Sequence, residues 1–297
     1  MRKRERRALK AQEEQHQYEL ARNKMFDYVK EAGKPSSVAQ LQALDEGINT
    51  TPHFLNSRFL GSQVMLLPQE DLPQNNGNMM TPILQVNLTE VPYAPPLLNG
   101  KAWLSVFMDL ESMLLGAHPN GDNWLLRTYD SLEGLEIRTI PPIHIQEKAK
   151  NWQPAQVTWT LENDVLDAKS AEHEVLPEKW RNYQDDIPFN ITQNKPRRWF
   201  DESTQQYMQA HNRFEGDNMY HWHIAATKLG GFPTYHQSDE YPDIPSHPRK
   251  FLLQIINGIN HQTVGHPKDK KRFDLCDCST TYIGWIDGEW WMETQTS

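Results

Sequence analysis

The sequence predicts a mainly β protein, α+β by content, made of two duplicated, intertwined β units with an N-terminal amphipathic helix and a few peripheral helices. Three observations predict it. From about residue 58 the chain breaks into short runs of branched and aromatic residues separated by Pro, Gly and Asn. Near the C-terminus two such runs flank Asp287-Gly288, a pair whose tolerance of left-handed backbone suits a two-residue hairpin. Sliding the chain on itself by 169 residues also superposes a Gly turn, an acidic pair, a Pro and an apolar strand carrying a Gln.

The elements follow in chain order. Tyr18, Ala21, Met25, Tyr28, Val29 and Ala32 recur at helical spacing before Gly33, Lys34 and Pro35, which predicts one amphipathic helix over about 8–32. Ser37 with Gln40 three residues on reads as a capping box, and Val38, Leu41 and Leu44 as the stripe of a short helix ended by Gly47. Strands are expected at 64–67, 83–88, 102–108, 124–129, 135–140 and 157–161, then at 232–235, 251–256, 281–286 and 289–293. A helix over 202–214 has Asp201 as its N-cap and Gly216 past its end. The expected organisation is a basic arm with helices over 1–50, a first β unit over 51–161, a connection with a helix over 162–219, and a second β unit over 220–297.

Composition narrows the function. Ten each of Trp, Tyr and Phe among 297 residues supply ample core. No apolar run approaches the roughly 20 residues of a membrane helix, and the opening MRKRERRALKAQEEQ lacks the apolar stretch of a signal peptide, so the chain is read as soluble and cytoplasmic. The first ten residues carry a net +5, leaving −14 on residues 11–297 of the formal −9. An acidic body repels phosphates, so nucleic acid is not the expected partner. A protein partner of basic character fits that field better.

The repeat aligns Leu60-Gly61 with Leu229-Gly230, Pro73 with Pro242, and Ile83-Leu84-Gln85-Val86 with Leu252-Leu253-Gln254-Ile255. In the second copy Lys228-Leu229-Gly230-Gly231-Phe232-Pro233 precedes Phe251-Leu252-Leu253-Gln254-Ile255; in the first, Gly61-Ser62-Gln63 lacks the second Gly and the Pro. With these motifs the chain resembles the YwqG-like domains of unknown function, distant relatives of the programmed-cell-death-protein-two group, over about 57–110 and 220–293. The resemblance implies a fold of two intertwined β units with no catalytic residues and no cofactor. It also implies a role in protein interaction, chaperone-like or toxin-neutralising. The motif residues Gly61, Gln85, Lys228, Gly230, Gly231, Pro233 and Gln254 read as structural: the glycines take angles that a side chain forbids, and the buried amides must find partners, expected to be backbone across the interface between units.

Two constellations invite chemistry. His221-Trp222-His223 would place both imidazoles on one strand face, and Cys276 and Cys278 likewise, so a zinc site can be drawn and with it a metal-binding protein or hydrolase. That spacing matches no standard zinc module, and the reading preferred is no metal. The second constellation is the closing hairpin, where Trp285, Trp290 and Trp291 stand beside Asp287, Glu289 and Glu293. Aromatic area beside acidic groups is what an interface for a basic protein partner, such as a toxin acting on nucleic acid, requires.

Overall fold

The computed structural model describes residues 33–44, 55–112, 116–150, 152–164, 227–233, 250–256 and 279–296, with single positions between 6 and 20. The chain divides into one unit of Met1–Lys34 and Asn163–Ile224 and a second of Pro35–Glu162 and Ala225–Ser297. In the first unit each described position from Arg6 to Leu20 is helical and exposed. The expected helix over 202–214 lies outside the described residues.

The second unit is built of strands. They are β1 (Lys34–Ala43), β2 (Arg58–Phe59), β3 (Gln63–Leu66), β4 (Gln74–Asn75), β5 (Asn78–Met79), β6 (Thr81–Asn87), β7 (Trp103–Met108), β8 (Gly116–Pro119) and β9 (Trp124–Tyr129), followed by β10 (Glu136–Thr139), β11 (Ala155–Asp164), β12 (Lys228–Gly230), β13 (Lys250–Ile256), β14 (Ser279–Ile286) and β15 (Glu289–Thr296). Eleven of them form one antiparallel, nearly closed barrel-like sheet in the order β8-β15-β14-β13-β12-β1-β11-β2-β6-β7-β9. The mainly β class is therefore correct.

The end strands β8 and β9 are consecutive in sequence, so the turn between them brings the two edges of the sheet together. Asn120 makes the seam: its N–H donates to the Trp290 carbonyl at 2.9 Å, and its Oδ1 accepts the Leu126 N–H at 2.7 Å. Drawing the two ends of the sheet together in this way shields much of the edge that an open sheet would offer to other chains.

Two four-strand runs flank the central β1 and β11, and their registers correspond. In one, Arg58 faces Gln85, Gln85 faces Ser105 and Ser105 faces Arg127; in the other, Lys228 faces Gln254, Gln254 faces Tyr282 and Tyr282 faces Glu293. Both runs carry a register irregularity at matched places, between Pro82 and Leu84 and between Phe251 and Leu253. The strands β6 and β13 keep the 169-residue spacing, whereas the turns that precede them are spaced by 170: Leu60 (φ 61) and Gly61 (φ 118) correspond to Gly230 (φ 73) and Gly231 (φ 73). A Cβ on Gly230 would lie 2.6 Å from Tyr93 Cε1, so only glycine fits beneath that ring. Leu60 adopts a backbone that bulky residues avoid, and its side chain is buried there.

The barrel interior is filled by apolar side chains from both runs and from the central strands. Leu84, Val86, Leu104 and Val106 meet Leu253, Ile255, Ile283 and Met292 in one cluster, with Ala39, Leu41 and Val157 between them. Trp103 and Phe107 point to the opposite face of β7 and are covered by the β3–β10 ribbon and the loops around it.

Three expectations need correction. Residues 37–44 are not helical: β1 pairs with β12, and Ser37 Oγ, instead of capping a helix, accepts the Tyr93 N–H at 2.9 Å and donates to the Tyr93 carbonyl at 2.8 Å. Of the strand expected at 232–235, Phe232 and Pro233 are buried but not in a strand, and 234–235 lie outside the described residues; the strand found among the described residues is Lys228–Gly230, which the positive-φ pair Gly230-Gly231 ends. Gln85 does bond backbone, but within its own half. Its Oε1 accepts the Met65 N–H at 3.0 Å and its Nε2 donates to the Gln63 carbonyl at 2.7 Å, holding both ends of one β3 peptide segment.

Candidate functional site

The closing hairpin is set by its turn. Asp287 (φ 47) and Gly288 (φ 97) are both left-handed, the geometry that matches strand twist, and they pair Trp285 directly with Trp290. Those two rings meet edge to face, centroids 4.7 Å apart at 78°. Trp290 packs on the barrel core, while its neighbour Trp291 projects from the other face, opposite Gly284 and Pro119. All three indoles are half-buried, and Asp287, Gly288 and Glu289 at the tip are exposed. Glu293, expected among the exposed acids, is instead buried, its Oε1 accepting the Gln295 Nε2 at 3.0 Å. Lys228 and Gln254 are also fully buried.

His221, His223, Cys276 and Cys278 lie outside the described residues. Among the described residues no three His, Cys, Asp or Glu groups cluster as a metal site.

A second feature escaped the sequence reading altogether. Where β2 turns at Leu60-Gly61, a cavity of about 390 Å³ opens beside the first strand run. Leu60, Met80, Ile140 and Ile145 supply much of its apolar wall, and Leu44, Trp152 and Pro154 complete it. Those last three are brought there by the junction of β1 with β11: the Leu44 N–H donates to the Pro154 carbonyl at 2.9 Å, and Gln153 Nε2 donates back to the Leu44 carbonyl.

The polar lining is basic and neutral. Arg58 is half-buried and its Nη1 donates to Gln63 Oε1 at 3.4 Å; burial pushes its guanidinium below the usual value. His144 and Lys150 stand on the exposed rim, and Lys150 Nζ is paired with Glu147. Among the described residues that line it, none is Asp or Glu.

A buried polar network holds the wall in place. Asp109, buried at the end of β7, accepts from Gln146 Nε2 and Ser112 Oγ at 2.7 Å, Asn75 Nδ2 at 2.9 Å and the Glu111 N–H at 3.2 Å. Burial would raise its pKa, but these donors together outweigh burial and hold the carboxyl below the usual range. Gln146 then accepts from the Leu110 N–H at 2.8 Å and from Thr81 Oγ1 at 3.0 Å. Lys148 Nζ donates to the Leu110 carbonyl at 2.7 Å. The segment 140–150 is thereby fixed to β6 and β7, and its Ile140 N–H closes on the Ser62 carbonyl at 2.7 Å.

No protein-family model matches the chain, and no curated protein matches its sequence.

Proposed function

We propose that this protein is a non-catalytic, cytoplasmic protein-interaction module of the YwqG-like kind, chaperone-like or toxin-neutralising, whose closing hairpin docks a basic protein partner. The observation that carries this reading is the set of half-exposed indoles Trp285, Trp290 and Trp291 beside the exposed carboxylates Asp287 and Glu289. Rigid aromatic area costs little entropy to dock, and the −14 carried by residues 11–297 draws a cationic partner toward it.

The duplicated, intertwined architecture belongs to the same reading. What supports it is the matched pairing of the two strand runs and the exchange of their leading strands. β1 precedes the first run yet pairs with β12 of the second, and β11 precedes the second yet pairs with β2 of the first. The Ala39 N–H bonds the Thr227 carbonyl as the Val157 N–H bonds the Ser57 carbonyl, each at 2.9 Å.

The test is affinity capture from the native host with three chains side by side: wild type, Trp291→Ala, and Asp287→Asn combined with Glu289→Lys. The expected result is a basic protein, identified by mass spectrometry, that wild type retains and both variants lose while their melting temperatures hold. Retention by both variants would move the interface elsewhere.

A further inference from the structure

The outer edge of β10 has its own pairing chemistry, independent of the closing hairpin. β3 and β10 form a two-stranded sheet in which Glu136 faces Leu66, Ile137 faces Met65, Arg138 faces Val64 and Thr139 faces Gln63. The Ile140 N–H bonds the Ser62 carbonyl, which fixes the alternation: Glu136 and Arg138 turn their backbone groups toward β3, and Ile137 and Thr139 turn theirs away. The far edge of β3 is already used, because Gln85 bonds the Met65 N–H and the Gln63 carbonyl. Among the described residues no strand pairs with the outer edge of β10. Glu136, Ile137 and Thr139 are exposed, and in the turn that follows Ile143 is 84% exposed.

An unpaired edge is a template for another strand, and the side chains along it decide which strand fits. Because Ile137 and Thr139 carry the outward N–H and C=O groups, an antiparallel copy of β10 pairs only in registers that set odd-numbered residues opposite one another. A register centred on Glu136 sets Glu against Glu, and one centred on Arg138 sets Arg against Arg, both unfavourable. Centred on Ile137, each Glu136 meets the Arg138 of the other copy, and the two Ile137 side chains cover each other at the axis. Both charged side chains remain open to this: that of Arg138 is 40% exposed and that of Glu136 58%, although they already lie 3.7 Å apart within the strand. We infer that β10 pairs with β10 of a second copy of this chain, antiparallel about a twofold axis at Ile137.

In that register the Ile137 N–H donates to the Ile137 carbonyl of the second copy and the Thr139 N–H to its Leu135 carbonyl, each bond made twice by symmetry. The segment also sets the limits of the contact. Pro141 and Pro142 have no N–H to extend the ladder beyond Ile140, and the turn at Gly134 (φ 81) ends it on the other side. Pairing uses the same edge of both copies, so it closes at two chains. A ladder this short makes a reversible dimer whose register is chosen by charge.

The experiment is sedimentation of the full chain over a range of concentrations, in about 0.15 M salt so that the long-range repulsion of its formal −9 is screened. Wild type is expected to show a monomer–dimer equilibrium. Arg138→Glu sets Glu against Glu in both cross-strand pairs, and Glu136→Arg sets Arg against Arg, so each alone should raise the dissociation constant about tenfold or more. An equimolar mixture of the two variants restores both opposite-charge pairs and should dimerise as wild type does, a result that misfolding cannot produce. Ile137→Pro removes the outward N–H at the axis, a change an edge strand tolerates, and should abolish the dimer. The inference is overturned by a wild type that stays monomeric, including one that instead retains an extended peptide at this edge. It is overturned equally by self-association undiminished in the charge variants, by a folded mixture that does not associate, or by a dimer that survives Ile137→Pro. Should a charge variant not fold, wild type and Ile137→Pro decide the matter.

Discussion

Replacing Asp109 by Asn probes the buried network that holds the cavity wall. The carboxylate receives four donors from Asn75, Ser112, Gln146 and the Glu111 N–H. Asparagine keeps one acceptor oxygen and turns the other into an amide that faces donors, so about half of these bonds are lost and at least one donor is left buried without a partner. Hydrogen bonds to a charged group contribute about 1.5–3 kcal/mol each, so two lost bonds put the loss at about 3 kcal/mol at the lower end. For a unit of this size that is a fall in melting temperature of about 6–12 °C. The pH dependence supplies a second readout. Because the folded pKa of Asp109 is held below its ordinary value, its contribution is complete above the unfolded pKa and is lost as pH falls through the folded pKa. Denaturant melts of wild type and Asp109→Asn between neutral pH and pH about 3 should therefore converge toward the acid end. A variant that melts within about 1 °C of wild type at neutral pH, or whose deficit persists unchanged in acid, would refute the role assigned to the network.

Asn120→Ala should cost about 1–2 kcal/mol in a denaturant melt, because it removes the acceptor of the Leu126 N–H at the seam where the sheet closes. Gly288→Val places a β-branched side chain at φ 97 and should cost at least about 1–2 kcal/mol, read the same way, whereas Asp287→Asn, which tolerates φ 47, should be nearly silent. Tyr129→Phe should cost about 2 kcal/mol: burial and the bond to Glu70 at 2.7 Å raise the Tyr129 pKa, so its contribution is present below the unfolded pKa and lost only as pH rises through the folded one. Deleting residues 1–15 should leave the melting temperature of the β-sheet unit unchanged, since Leu9, the large apolar side chain there, is 58% exposed.

What the sequence disclosed and what it hid follow from the range of the interactions involved. β9 and the closing hairpin were readable because their signals are local: alternation in Trp124–Tyr129, and a dipeptide at 287–288 whose preferred angles are those found. β1 was misread because Val38, Leu41 and Leu44 also fall at helical spacing, and what makes the segment a strand is pairing with Lys228–Gly230 far along the chain. β2 and β8 carry little pattern of their own; Gly116–Pro119 is a strand because Trp291–Thr294 offers it a ladder. The cavity is assembled from residues between Leu44 and Pro154 that no spacing rule connects.

One residue did point to it. A glutamine inside an otherwise apolar strand must have its amide satisfied, and Gln85 meets that demand by gripping the β3 segment at Gln63 and Met65. That grip places Gln63 where its own amide receives Arg58, the cation on the cavity wall. The Gln repeated at 254 faces Lys228 in the same register, so a polar position framed by apolar neighbours marks, in both halves, the row on which a cation is built into the sheet. In the first half that cation lies half-buried on the cavity wall; in the second Lys228 is fully buried. The same register thus meets different surroundings in the two strand runs, because what covers the row is set by loops and ribbons whose sequences need not resemble each other.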